Sequence, residues 1–305
     1  MKTIRIGTRS SELALWQATT VSNQLIALGF STEIVKISSK GDIVLDKPLY
    51  QLGVVGVFTK TLDIALLNKE IDIAVHSLKD VPTQMPEGIV QAAVLERGNI
   101  NDIVVLHPEK DKIEEEGIIA TGSLRRRAQW LNKYPKAKHV DLRGNVNLRM
   151  QKLSESNWSG AIFAKAGLER IHILPEKHEV LDWMIPAPAQ GAVMISCLDK
   201  NKEVLGACKK VNHQETMLCV DVEREFLQVM EGGCTAPIGA NATIDAEGNM
   251  NFVGGLFSLD GKKKITISRK IELSEINGFG KMCAETVLKG GGKTLMETIK
   301  LELKK

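Results

Sequence analysis

Ile118-Ile119-Ala120-Thr121-Gly122-Ser123-Leu124-Arg125-Arg126-Arg127 runs from a short apolar strand, through a glycine, into a helix that opens on basic residues. The pattern predicts a strand over 118–120 and a helix over 123–134. The same unit follows at once, with a strand over 139–142, then Arg143-Gly144-Asn145-Val146-Asn147-Leu148-Arg149, then a helix over 145–153. It also stands at the start of the chain. Residues 3–7 read as a strand and 10–28 as a helix, with Ser10 or Ser11 as cap, Glu12 in the first turn and Gly29 as stop. Leu13, Trp16, Val21, Leu25 and Leu28 recur there at helical spacing. Further strands are expected over 32–37, 71–75, 89–95, 102–106, 161–164 and 192–197, and helices over 58–67, 202–210 and 214–230. Pro186, Pro188 and Gly191 mark a crossing segment. Strand-helix alternation of this kind predicts parallel sheets that bind ligands at the carboxyl ends of their strands.

Beyond residue 234 the style changes. Residues 238–244, 251–259 and 263–273 read as an antiparallel meander joined at Asp245-Ala246-Glu247-Gly248-Asn249 and Asp260-Gly261. Helices over 275–288 and 293–303 follow. The fold class is therefore two α/β domains plus a small α+β C-terminal domain with a three-stranded antiparallel sheet. A length of 305 residues suits several domains. The stretch 38–57 is polar and glycine-bearing, and a loop of that length is usually functional.

With 43% hydrophobic and 25% charged residues, the composition is that of a globular protein. A net charge of +3 implies no general attraction to nucleic acid or membrane. No apolar run approaches the roughly 20 residues that span a bilayer. The 5 cysteines form no CxxC pair and no Cys/His metal spacing. An odd count without a secretory segment fits a reducing, cytoplasmic compartment.

One cysteine differs from the rest. Cys234 lies in Met230-Glu231-Gly232-Gly233-Cys234-Thr235-Ala236-Pro237-Ile238-Gly239, where glycines free the backbone and proline ends the preceding helix. That setting predicts an accessible, reactive or covalently occupied thiol. Cys197, Cys208, Cys219 and Cys283 lie in apolar-periodic segments and read as core.

Arginines gather at the strand-to-helix junctions. Arg9 ends the first strand; Arg125 and Arg126, Arg143 and Arg149, and Arg170 follow later ones. Helix N-termini attract anions, and guanidinium matches carboxylates in two-pronged fashion. Junctions converging on one cleft would bind a polyanion of defined shape. Arg127 reads instead as a solvated base, since consecutive helical positions do not all face one ligand. Among these bases stands an acid, Asp80, in His76-Ser77-Leu78-Lys79-Asp80-Val81-Pro82 after a buried strand. In a cationic cleft it would stay ionised and hold an N–H group or a passing cation.

Six segments carry a resemblance: Arg9-Ser10-Ser11, His76-Ser77-Leu78-Lys79-Asp80-Val81-Pro82, Gly122-Ser123-Leu124-Arg125-Arg126, Leu142-Arg143-Gly144-Asn145-Val146, Pro188-Ala189-Gln190-Gly191-Ala192 and Glu231-Gly232-Gly233-Cys234. In this order the chain resembles the porphobilinogen deaminase (hydroxymethylbilane synthase) family over nearly its full length. The resemblance implies a transferase of tetrapyrrole and haem biosynthesis, joining four porphobilinogen molecules head to tail and releasing ammonia at each step. It implies a dipyrromethane cofactor in thioether linkage, with Cys234 at the attachment position. It implies Asp80 as the catalytic acid that holds pyrrole N–H groups and stabilises the azafulvene cation. Ser11, Lys79, Asp80, Ser123, Arg125, Arg126, Arg143 and Gly144 would contact the cofactor; Arg9, Ser11, Phe58, Arg149 and Arg170 would contact substrate. The implied fold has two domains like type II periplasmic binding proteins. Domain 1 would span 1–98 and 193–212, domain 2 99–192 and domain 3 213–305. A monomer without metal is implied.

The chain departs from the family in one place. Gly53-Val54-Val55-Gly56-Val57-Phe58 stands where many members carry Gly-Gly-Lys-Gly-Leu-Phe, and Thr61 replaces the usual acid. Phe58 and Lys60 remain, so carboxylate binding is expected to lean on the arginines and on Lys60. Two rival readings stay open at this point. One is a non-catalytic anion-binding protein with the same cleft. The other is a thiol hydrolase, which needs a histidine partner such as His213 or His76.

Overall fold

Short, nearly continuous apolar runs make the central strands of two sheets, because strands covered on both faces need apolar residues throughout. The computed structural model describes residues 3–38, 59–230 and 236–303. In the first sheet β1 (Ile4–Thr8) runs parallel to β2 (Thr32–Lys36) and to β3 (Ile73–Ser77). The sheet continues through β10 (Val193–Leu198) to β4 (Ile89–Val94), in the order β2-β1-β3-β10-β4. Helices α1 (Glu12–Ala27), α2 (Lys60–Leu67) and α6 (Lys202–Lys209) cover it.

The second sheet repeats the wiring. Here β6 (Ile118–Ala120) is parallel to β7 (Lys138–Val140) and β8 (Gly160–Ala164), and β5 (Asp102–Leu106) leads to β9 (His178–Val180), in the order β7-β6-β8-β5-β9. Helices α3 (Leu124–Lys133), α4 (Val146–Ser154) and α5 (Lys165–Arg170) follow β6, β7 and β8.

The sheets are mixed, which corrects the expectation of parallel ones. Strand β10 is antiparallel to β3 and β4, and β5 is antiparallel to β8 and β9. The cause is the connection. Each of these strands enters its sheet from the other sheet rather than over a crossover helix, and such an entry permits the reverse direction. Strand β9 was not foreseen; it is three residues long, too short for a period to register.

The crossing segments 95–101 and 181–192 lie against each other. Gly98 N–H donates to Gly191 O at 3.1 Å, and Arg97 Nε donates to Gln190 O at 2.9 Å. Gly191 holds φ +85°, and a Cβ there would meet Gly98 O at 2.7 Å.

Helix α7 (Gln214–Val229) leads into the third unit. There β11 (Ile238–Ile244), β12 (Asn249–Phe257) and β13 (Lys264–Glu272) form the expected antiparallel meander, backed by α8 (Phe279–Val287) and α9 (Lys293–Glu302). Phe252 packs between Phe226 and Phe279, with centroids 5.2 and 6.0 Å away. Glu223 of α7 is fully buried and ties three parts together. It pairs with Arg97 at 2.6 Å and accepts from Ala189 N–H and Ala242 N–H at 2.6 and 2.7 Å.

A contrast of two glycines tests the crossing. Gly191→Ala imposes a left-handed alanine and a backbone clash, and should cost about 2–4 kcal/mol in urea unfolding. Gly206→Ala lies in α6 with open space around it, and should be neutral or stabilise by up to about 1 kcal/mol. Equal midpoints for the two variants would contradict the packing described.

Candidate active site

The carboxyl ends of β1, β3, β6, β7 and β8 deliver the chemistry. After β1, Arg9 precedes Ser11, whose hydroxyl caps α1 by accepting from Ala14 N–H at 3.4 Å. After β3, a single 3-10 turn, Leu78–Asp80, carries Lys79 and Asp80. Leu78 anchors that turn: its side chain is fully buried and its N–H donates to Ala192 O at 3.0 Å. After β6, Ser123 caps α3 and places Arg125 and Arg126 in the first turn. After β7, Gly144 turns at φ +116° and Asn145 caps α4, whose first turns carry Arg149. After β8 comes α5, ending at Arg170.

These ends meet at a cleft of about 560 Å³, counting its open mouth, walled by Ser77, Lys79, Arg126, Arg149, Arg170 and Gly191 among others. Arg170 Nη2 donates to Gly191 O at 2.6 Å, and its guanidinium lies 5.1 Å over the Trp16 ring. Arg149 Nε donates to Gly144 O at 2.8 Å. Burial, then repulsion from Arg126, pushes Arg149 down to about 10; Asp80 opposes this, while Arg143 and Arg9 add to it. Half-buried Asp80 is an acid whose charge acts on Arg149, Lys79 and Arg126 alike. Burial and Arg126 push Lys79 down to about 8, with Asp80 and Asp102 opposing. Cations so placed, with so little negative charge among the described residues, suit a ligand bearing several carboxylates.

Asp102 was missed by the sequence reading. It opens β5 with no exposed surface. Its Oδ2 receives Arg125 Nη1 at 2.6 Å, and its Oδ1 receives Arg126 Nε at 2.9 Å and Gln190 Nε2 at 3.0 Å. Burial alone would raise its pKa, but Arg125 and Arg126 hold it well below the usual carboxylate range. An acid heading the run Ile103-Val104-Val105-Leu106 was the available signal.

Arg125 is not a wall of the cleft; its Nη1 is shared between Asp102 and Ile185 O at 2.7 Å. Arg127 is half-exposed and does not line the cleft, although its Nε is enclosed without a hydrogen-bond partner among the described residues. Lys60 is exposed at the start of α2. Cys234, Phe58 and the stretch with Val54 and Val55 lie outside the described residues.

The histidines required by a hydrolase are otherwise employed. His76 is buried against Ser196 Oγ at 3.2 Å and is pushed down to about 4 by burial and Arg9. His213 Nδ1 caps α7 by accepting from Thr216 N–H at 3.2 Å. Burial pushes the thiols of Cys197, Cys208, Cys219 and Cys283 up to about 11, 12, 11 and 11.

Residues 4–206 match the family profile described as "Porphobilinogen deaminase, dipyromethane cofactor binding domain", and 217–289 match "Porphobilinogen deaminase, C-terminal domain". A porphobilinogen deaminase of Nostoc sp. is 37% identical, covering 100% of this chain and 97% of that protein. One from Geotalea uraniireducens is 40% identical over 98% of this chain and 95% of that protein. The chloroplastic protein of Oryza sativa is 42% identical, over 87% and 77%. Among solved structures, a periplasmic substrate-binding protein from Coxiella burnetii aligns with a TM-score of 0.43 at 14% identity, covering 73% of this chain and 97% of that one. A likeness that slight says nothing of activity.

Asp102→Asn should leave two buried guanidinium groups without their counter-ion and cost about 3–5 kcal/mol. A depressed folded-state pKa gives stability that is present above the unfolded carboxylate value, roughly pH 4, and is lost as pH falls through the lower folded value. Urea midpoints followed from pH 7 downward should therefore fall more shallowly on the acid side in the variant. An identical acid slope would remove Asp102 from that role.

Proposed function

The chain belongs to the porphobilinogen deaminase family, and from that premise we propose how its own residues carry the family's reaction. The activity is hydroxymethylbilane synthesis: four porphobilinogen molecules are joined head to tail with loss of ammonia, on a dipyrromethane primer. The observation that carries the residue assignments is one carboxylate, Asp80, whose charge acts on Lys79, Arg126 and Arg149, three cations that line the cleft.

The donor set fits the primer. Dipyrromethane carries several carboxylates and two pyrrole N–H groups, and the cleft offers several cations and one acid. When bound, it supplies the pyrrole carbon on which the chain grows. Cys234 is proposed as its covalent anchor; Cys197, Cys208, Cys219 and Cys283 are buried, which leaves them poor candidates. Lys79, Arg126, Arg143 and the Gly144 turn would hold the primer's carboxylates, with Ser11 and Ser123 at neighbouring helix starts. Arg125 would act through Asp102, keeping Arg126 in place. Arg9, Arg149 and Arg170 would hold the incoming substrate, together with Phe58.

Asp80 would accept pyrrole N–H groups and face the positive charge that grows as ammonia leaves. A fixed charge already aimed at that position, in a site shielded from water, needs no rearrangement during the reaction.

We also propose that 1–98 with 193–212, 99–192 and 213–305 act as three domains, supported by the two sheets and the two short crossings between them. Among the described residues no helix is long and apolar enough to cross a membrane. A cytoplasmic monomer is the accompanying reading; buried free cysteines are consistent with a reducing compartment.

Two variants test the assignments. Intact mass of Cys234→Ala should show no dipyrromethane adduct, whereas variants of the other cysteines should keep it. An adduct surviving on Cys234→Ala would end the anchor assignment. Asp80→Asn should keep its fold and its adduct while turnover of porphobilinogen falls on the order of 10²–10³. Near-native turnover would take Asp80 out of the mechanism.

A further inference from the structure

Gln190 lies in the returning crossing segment and has no exposed surface. Every polar group it owns is occupied. Oε1 accepts from Lys79 Nζ at 3.3 Å, while Nε2 donates to Ile100 O at 2.8 Å and Asp102 Oδ1 at 3.0 Å. Its backbone N–H donates to Ala187 O at 2.9 Å, and its carbonyl receives Arg97 Nε. The amide has only one workable orientation. Turned over, it would set an oxygen against two oxygen acceptors, Ile100 O and Asp102 Oδ1. The side chain therefore bridges Lys79, which follows β3 in the first sheet, to Asp102, which opens β5 in the second.

Four charged groups face Lys79 besides: Arg126 and Arg125 from α3, Asp102 from β5, and Asp80 from its own turn. Two repel its proton and two retain it. An amide oxygen accepts an N–H from an ammonium and from a neutral amine alike, so it holds the nitrogen in either form. A carboxylate in the same place would favour the ammonium and would meet Asp102 Oδ1 head on. An apolar side chain would let the nitrogen go.

We propose that Gln190 is a positioning residue for Lys79: it pins Nζ at the cleft wall, across the joint between the two sheets, through an uncharged acceptor that lets the lysine stand there with or without its proton. The inference rests on the functional reading only in giving Lys79 a ligand to meet. Its principal test is read without turnover.

The test is competitive reductive methylation of the folded full-length protein from pH 6 to 11, with the Lys79 peptide quantified by mass. Only the neutral amine reacts. The half-labelling pH of the wild type is the reference. In Gln190→Met it should move about 0.5–1 pH unit lower, the surplus of a hydrogen bond from a charged donor over one from a neutral donor. In Gln190→Glu it should move higher by a similar amount. The latter is nearly isosteric, so it keeps the question decidable if Gln190→Met does not fold. The alkaline limb of kcat for porphobilinogen should move in the same directions, and in a Lys79→Arg background the Gln190 substitutions should no longer move it. An unchanged labelling profile in a folded Gln190 variant would overturn the proposal. So would a limb that still shifts in the Lys79→Arg background.

Discussion

The carboxylate of Asp102 is the constraint on which the arrangement of the cleft depends. Two guanidinium groups from one helix turn, Arg125 and Arg126, are buried side by side and would repel without it. A buried pair gains little net stability over an apolar replacement, but removing one partner is costly. Its value is therefore geometric. With Asp102 in place, α3 can enter the protein on two charges, and Arg126 can face the cleft while its Nε and Nη2 are held from behind. Gln190 adds the link to Lys79, so one acid fixes cations on both sheets.

The third unit takes part through Glu223. It neutralises Arg97 and clamps the Ala189 N–H, and Ala189 sits at φ 61°, a strained conformation for a residue with a Cβ. That clamp settles the path of the segment that presents Gln190 to Lys79 and Gly191 O to Arg170. A residue on α7, packed beside the Phe226–Phe252–Phe279 core, thus governs backbone that lines the cleft.

The sequence made the elements legible where a period ran long enough: α1, α7 and the meander lie close to their expected bounds. Charged residues that follow strands in the sequence, Lys79, Arg126, Arg149 and Arg170, are among those that line the cleft. The direction of β5 and β10 was hidden, because periodicity reports which face is buried and not which way a strand runs. Asp102, Glu223 and the partnership of Gln190 were hidden for a different reason. Each acts through residues far along the chain, 126 positions from Arg97 to Glu223 and 111 from Lys79 to Gln190, and no local pattern records such pairs. Arg125 was read as a ligand contact because repetition at equivalent junctions cannot separate the arginine facing the cleft from the one serving its neighbour.

The burial of Cys197, Cys208, Cys219 and Cys283 has a practical side. Their thiols are shielded and held protonated well above neutral pH, and only thiolates react readily with alkylating dyes. A colorimetric thiol titre on the undenatured protein is therefore almost silent for those residues and leaves Cys234 as the sole remaining reporter. On the anchor assignment proposed above, the fading of that signal as a freshly made chain matures would serve as a clock for cofactor loading, read by eye.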